Sequence, residues 1–434
     1  MLRAMKQRGE TLAALCRQGA RQAAPLQARG ASRAVGSGAA CVLAGAFVLA
    51  WVLCAMPHVE ASQRPKYGGT LRVEIGARVN SLDPRVAATN AEEAAAKDEI
   101  ESLLYDHRNA DGTFGGGSEL APGSGPFRIS EWEPGRHLTL LANEEFAGGR
   151  PFVDAVDIEM GRPLKDRLLD LELEKTDFIE IPAEDARHAS EQGMRVSTSQ
   201  PDELVAVVFV AGKSPAEDVR MREAISRAID RGAMVNFILQ KEGEAAGGLL
   251  PEWSSGTAFL FSTAADPSTA KEIAGQIGGS PRIVLGYDST DSLEESLAER
   301  IAVDAREAGI RVTPEALQND RVPSNCDARL VRMRMSSPDP RAALAGFFAA
   351  LAPAIEMNGP SGPGFAGAEQ QLVGGWSAEH VYEVERGIVD TYRVVPLVWL
   401  PEAYGLSARV RDWKAPAAGE GWPLADVWLE QEAE

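Results

Sequence analysis

Residues 204–210 read Leu-Val-Ala-Val-Val-Phe-Val, and a run of seven apolar residues with no polar position has no face to give to water. At that length it suits a strand covered on both sides, which requires helices above and below its sheet. A second run of this kind, residues 394–400 (VVPLVWL), lies near the far end of the chain. An α/β architecture follows, in a chain whose 434 residues leave room for two or three domains.

The punctuation around these runs places further elements. Residues 71–75 alternate apolar and polar after Tyr67-Gly68-Gly69 and predict a strand, followed by a loop at Asn80-Ser81-Leu82-Asp83-Pro84 and a helix over 92–105. Residues 127–132 and 137–141 flank Glu133-Pro134-Gly135-Arg136, whose Pro and Gly fit the centre of a type II turn, so a hairpin is expected. Ser214-Pro215-Ala216-Glu217 has the form of a capping box and predicts a helix start, with Met221, Ala224, Ile225, Ala228 and Ile229 inward and Arg220, Arg222, Arg227 and Asp230 in solvent. Residues 282–287, an amphipathic 293–308, Gly309 and 310–312 predict a βαβ unit with a right-handed crossover.

Charge is unevenly spread. Residues 1–61 hold seven basic groups (Arg3, Lys6, Arg8, Arg17, Arg21, Arg29, Arg33) and two acidic ones, Glu10 and Glu60, so the rest of the chain carries −24 of a total of −19. A body that acidic repels phosphate backbones and anionic lipid headgroups, and nucleic acid is not expected as a partner. Residues 39–56 are uncharged and end near Val59-Glu60-Ala61, a small-x-small pattern. Two readings stand: a cleaved export signal and an uncleaved anchor. In both, the basic front holds the start of the chain in the cytoplasm and the body lies in the periplasm or on the outer face of the cytoplasmic membrane. Bulky Trp51-Val52-Leu53 before Cys54 argues against a lipoprotein. Three of the four cysteines lie in this leader, so Cys326 is alone in the body and forms no disulfide within it.

Marks of catalysis are missing. The five histidines (His58, His107, His137, His188, His380) form no zinc-binding pattern, and no metal or cofactor is expected. Gly212-Lys213-Ser214 ends like a phosphate-binding loop, but Val207 stands where its first glycine belongs and Pro215 removes a needed N–H. We expect no enzyme.

Four separated stretches resemble the family 5 extracytoplasmic solute-binding proteins of ABC importers, the peptide and nickel group. They are Tyr67-Gly68-Gly69-Thr70-Leu71 with Ser81-Leu82-Asp83-Pro84; Gly123-Ser124-Gly125-Pro126-Phe127 through Trp132-Glu133-Pro134-Gly135 to Asn143 and Gly149-Arg150-Pro151-Phe152; Asp218 to Ile225 with Ala228-Ile229-Asp230-Arg231; and Pro396-Leu397 with the Trp-rich tail. The resemblance implies a two-lobe, periplasmic-binding-protein-like (type II) α/β fold with a hinge. Lobe I would be residues 67–208 plus 397–434 and lobe II 209–396, with the two apolar runs crossing between them. It further implies a monomer that encloses a small-molecule solute and passes it to an ABC permease in the membrane. The other reading is a membrane-tethered scaffold or sensor that kept the fold and lost transport.

Two departures bear on the solute. Fewer than twenty residues separate Tyr105 from the Gly123 motif, so the family's small subdomain of lobe I is largely missing. The family's W-x-x-D-Y-x-D-P, whose first aspartate pairs with a peptide ammonium, appears as Met333-Arg334-Met335-Ser336-Ser337-Pro338-Asp339-Pro340. Free peptides are therefore expected to bind poorly, and Arg332 and Arg334 to favour an anionic or uncharged solute. Solute-contact candidates are Ser81, Asp339, Trp399 and Tyr404. Core packing is the competing assignment for Trp399 and Tyr404, and a turn cap for Asp339.

Overall fold

The computed structural model describes residues 64–430, apart from 84, 87, 89, 106–123, 213, 256–260, 278–281, 319–325 and 357–376. The apolar stretch 39–56 and the shortened segment after Tyr105 lie outside the described residues. Among those described, no helix is long and apolar enough to cross a membrane.

Two mixed sheets carry the body. The first is seven-stranded, in the order β2-β3-β4-β1-β5-β13-β6. Its strands are β1 (Thr70–Glu74), β2 (Phe127–Glu133), β3 (His137–Ala142), β4 (Ala155–Glu159), β5 (Phe178–Ile181), β6 (Arg195–Thr198) and β13 (Ala403–Leu406). β2 and β3 form the expected hairpin, and Gly135 adopts a φ of 70°, the left-handed value that its turn demands and that a side chain would resist. Helices α1 (Ala91–Leu104), α2 (Leu164–Glu172) and α3 (Ala183–Glu191) belong to this part of the chain.

The second sheet has six strands, in the order β10-β9-β11-β7-β12-β8. They are β7 (Glu203–Phe209), β8 (Glu244–Ala245), β9 (Arg282–Asp288), β10 (Arg311–Leu317), β11 (Ala328–Arg334) and β12 (Val394–Leu400). The predicted βαβ unit is β9, α5 (Ser292–Glu307) and β10, with β9 and β10 paired in parallel and Gly309 at φ 84° ending the helix. Both apolar runs belong to this sheet, as antiparallel neighbours β7 and β12. Their side chains alternate between two cores: Val205, Val207, Phe209 and Leu397 enter one, and Leu204, Ala206, Val208 and Trp399 the other. Each face of this pair is thus covered, which explains why no polar position was tolerated.

Because β7 and β12 pair along their length inside one sheet, the chain passes between the sheets outside them. The crossings are residues 199–202, between β6 and β7, and residues 401–402, between β12 and β13. This corrects the expectation that the two runs themselves cross.

The helix expected at Ser214 begins later, as α4 (Val219–Ala228), because Asp218 caps it by accepting from the Arg220 N–H. Glu217 is already engaged: it accepts from the Gly212 N–H and pairs with Arg393 at 3.0 Å. Arg222 is also not in solvent. It is buried and donates to the carbonyls of Ala216, Glu217 and Thr391, an anchor that helix periodicity alone does not reveal. Burial pushes its guanidinium down to about 10.

Candidate functional site: a charged seam between the two sheets

Strand periodicity puts Arg332 and Arg334 of β11 on one face, alternating with buried Met333 and Met335. Arg332 donates to Glu203 of β7 (Nε 3.1 Å, Nη2 2.5 Å) and to Asp291, the N-cap of α5 (Nη1 2.7 Å). Burial alone would raise the Glu203 carboxyl, yet the Arg332 and Arg334 charges hold it below its ordinary value. The same carboxylates outweigh burial at Arg332 and raise its pKa.

Two residues on, Arg334 reaches toward the other sheet. Its Nη1 lies 2.5 Å from Glu402 Oε1 on the second crossing and 3.3 Å from Glu99 Oε1 on α1. Glu99, 4% exposed, also accepts the Trp422 N–H at 2.8 Å. Tyr404 donates its hydroxyl to Glu402. Asp202 on the first crossing is buried, and its Oδ1 has no hydrogen-bond partner. Its backbone is pinned by bonds to Leu400 and Met335. Burial, then the Glu402 charge, push Asp202 up to about 8 against the pull of Arg334, and the same two causes raise Glu99.

The wall nearer α2 and α3 is acidic as well. Arg167 is buried and donates to the Glu180 carbonyl, while Glu92, Glu180 and Glu184 make no ion pair with the described residues. Desolvation by the surrounding chain raises the carboxyls of the half-buried Glu180, to about 7, and Glu184, and also that of Glu92, although Glu92 keeps an exposed side. Around the seam Arg167, Arg332 and Arg334 therefore face Glu92, Glu99, Glu180, Glu184, Asp202, Glu203, Asp291 and Glu402, and negative charge is in excess. Arg332 spends Nε, Nη1 and Nη2 on the chain's own carboxylates, whereas Arg334 pairs through Nη1 and its buried Nε has no hydrogen-bond partner. That geometry removes Arg332 as a partner for an anionic solute and leaves Arg334 Nε unassigned.

The four candidate residues are not brought together. Ser81 accepts from the Asp83 N–H at 3.2 Å. Asp339 accepts from the Arg341 and Ala342 N–H groups (2.9 and 3.2 Å) at the start of helix α6 (Pro340–Glu356) and pairs with Arg341. Trp399, 2% exposed, packs in a sheet-two core against Phe347 at 6.0 Å. Tyr404 is also buried, its ring 5.2 Å from Phe178 and 5.1 Å from Trp413, but its hydroxyl reaches the seam through Glu402. Ser336, at the position of the family's first aspartate, is exposed, and Gly419 of the tail presses on its carbonyl where a side chain would not fit. Glu99, Asp202 and Glu402 were not legible as a group because they lie far apart in sequence. The available signal was Arg332 and Arg334, charges on one face of an otherwise apolar strand.

A cavity elsewhere, about 30 Å³ and lined by Ser254, Ser255, Pro340, Ala378, Val381, Tyr382 and Glu385, has room for about one water. Among the described residues, no group of three or more His, Cys, Asp or Glu is arranged to hold a metal ion.

Comparison with known proteins decides the family. The model of "Bacterial extracellular solute-binding proteins, family 5 Middle" matches residues 69–355. The chain belongs to that family. It is 29% identical over 128 residues to the oligopeptide-binding protein AppA of Bacillus subtilis, covering 29% of this chain and 23% of AppA. It is 27% identical over 224 residues to the probable D,D-dipeptide-binding periplasmic protein DdpA of Escherichia coli, covering 50% of this chain and 43% of DdpA. These matches span less than half of either relative. The fold is similar to the ABC transporter substrate-binding protein CtaP of Listeria monocytogenes, with a TM-score of 0.69 and 15% identity over 84% of this chain and 100% of that one. Family 5 binding proteins are solute binders, in keeping with the lack of catalytic motifs in the sequence.

Proposed function

We propose that this chain is the solute receptor of an ABC importer, capturing a small solute between two lobes and delivering it to a membrane permease outside the cytoplasmic membrane. The lobes are built on the two sheets, and the hinge is the pair of crossings at 199–202 and 401–402. The supporting observation is the charged seam: two sheets in a family 5 chain, joined by two short crossings, with unpaired carboxylates between them. Solute contacts on both sides would favour a closed form that the permease recognises. The solute carries positive charge, because Glu92, Glu180 and Glu184 make no ion pair with the described residues and carboxylates outnumber guanidiniums around the seam. A buried cation needs such partners, since an unpaired charge costs several kcal/mol.

Native mass spectrometry of the purified chain tests the reading. A co-purifying cationic small molecule is expected, and a reporter fused after Glu434 should be active outside the cytoplasm. Cytoplasmic reporter activity would rule out import.

The second reading, a tethered scaffold or sensor, has one observation in its favour: Arg334 ties the two sides together through the chain's own carboxylates. Closure that no solute changes, measured by thermal shift against a cationic panel, would support it.

A further inference from the structure

The groups around Arg334 do not balance. Glu99 comes from α1, Asp202 from the first crossing and Glu402 from the second, so both connections between the sheets contribute a carboxylate to one buried cluster. One guanidinium cannot neutralise three carboxylates. Carboxylates that share a buried site do not all ionise, because each raises the cost of charging the next. The surroundings make matters worse: Glu180 of β5 and Glu203 of β7 face the cluster, with Glu92 of α1 beyond Glu180, while the neutral Tyr404 hydroxyl of β13 donates to Glu402 and eases that one carboxylate. Relief comes from the Trp422 N–H and, at greater reach, from Arg167 of α2 through Glu180 and Arg332 through Glu203. The unpartnered Oδ1 of Asp202 is the place where a proton meets least competition from existing hydrogen bonds.

We propose that Glu99, Asp202 and Glu402 around Arg334 form a proton-operated latch, in which the closed seam holds a proton from solvent that the open seam gives back. The inference rests on the reading that the two lobes open and close, and it adds to that reading a pH at which they do so. In the open form the carboxylates are solvated and titrate near the ordinary value of about 4; in the closed form Asp202 is held up to about 8. A group whose pKa is raised on closing favours closure fully below the open-state value, and that contribution is lost as pH rises to the closed-state value. The ratio of closed to open molecules thus falls about tenfold per pH unit between about 4 and about 8 for each proton held.

Small-angle X-ray scattering of the full chain, without added solute, reads the latch directly. The radius of gyration should be smaller at pH 5 than at pH 8.5. Asp202→Asn, which keeps the shape and removes the titration, should make it pH-independent; Glu99→Gln, a second variant should the first fold poorly, should weaken the response. Glu385→Gln removes a buried carboxyl that is not part of the Arg334 cluster and that accepts from the Leu249 and Leu250 N–H groups. That variant should keep the wild-type response. A wild-type radius that does not change with pH, or a response that survives both Asp202→Asn and Glu99→Gln, overturns the latch. Solute binding by such a pH-indifferent protein would leave the importer reading standing.

Discussion

Arg332 and Arg334 stand two residues apart on one strand, yet they hold different things together. Both partners of Arg332, Glu203 and Asp291, come from the second sheet and its helix α5, so this guanidinium pins one half of the molecule internally. Arg334 pairs with Glu99 on α1 and Glu402 on a crossing, and so spans the two halves. The first site keeps Glu203 ionised; the second leaves Asp202 and Glu99 with raised pKa values. The lesson is one of stoichiometry: each arginine pairs with two carboxylates, but beside Arg334 the buried Asp202 is left with no ion pair of its own among the described residues.

Four substitutions can break or sharpen that contrast. Arg332→Ala, which strands two partly buried carboxylates, should lower the unfolding free energy by about 3 kcal/mol in urea melts, as loss of one partner of a buried pair does. A loss under about 1 kcal/mol would mean the brace is a surface pair in effect. Arg334→Ala should cost less, about 2 kcal/mol, with a larger loss at pH 8 than at pH 5, because protonation of Asp202 softens the loss of its counter-charge. An equal loss at the two pH values would erase the distinction between the arginines. Asp202→Asn should stabilise the protein by about 1 kcal/mol at pH 8 and change little at pH 5, since the asparagine never has to be charged in a buried site. Smallest is Tyr404→Phe, about 1 kcal/mol or less, the value of one hydroxyl bond to Glu402. A much larger effect would show that the hydroxyl holds the cluster in shape.

Where the sequence was legible, the signals were local. The β2–β3 hairpin and the β9–α5–β10 unit followed from turn residues and periodicity, which depend on neighbours in sequence. The start of α4 was misplaced because Ser214 and Asp218 offer similar caps, and what sets Glu217 aside is Arg393, far along the chain. Arg222 was assigned to solvent because its acceptor Thr391 is also distant. The same limit hid the seam. Glu99, Asp202 and Glu402 look like any of the 63 acidic residues until the crossings bring them to one arginine. The family motif was legible, but its departure at Ser336 pointed to the loss of a peptide-ammonium partner without showing the carboxylates gathered elsewhere.

The claim that the charged seam is where a cationic solute is taken is tested most directly by calorimetric titration at pH 7 of the wild type and of the Glu180→Gln/Glu184→Gln double variant, using a panel of diammonium, guanidinium, zwitterionic and dicarboxylate solutes. The account predicts binding of a solute with net positive charge, weakened at least tenfold in the double variant, and no heat from dicarboxylates. Tight binding of a dicarboxylate, or of any solute with an affinity the double variant leaves unchanged, would contradict it.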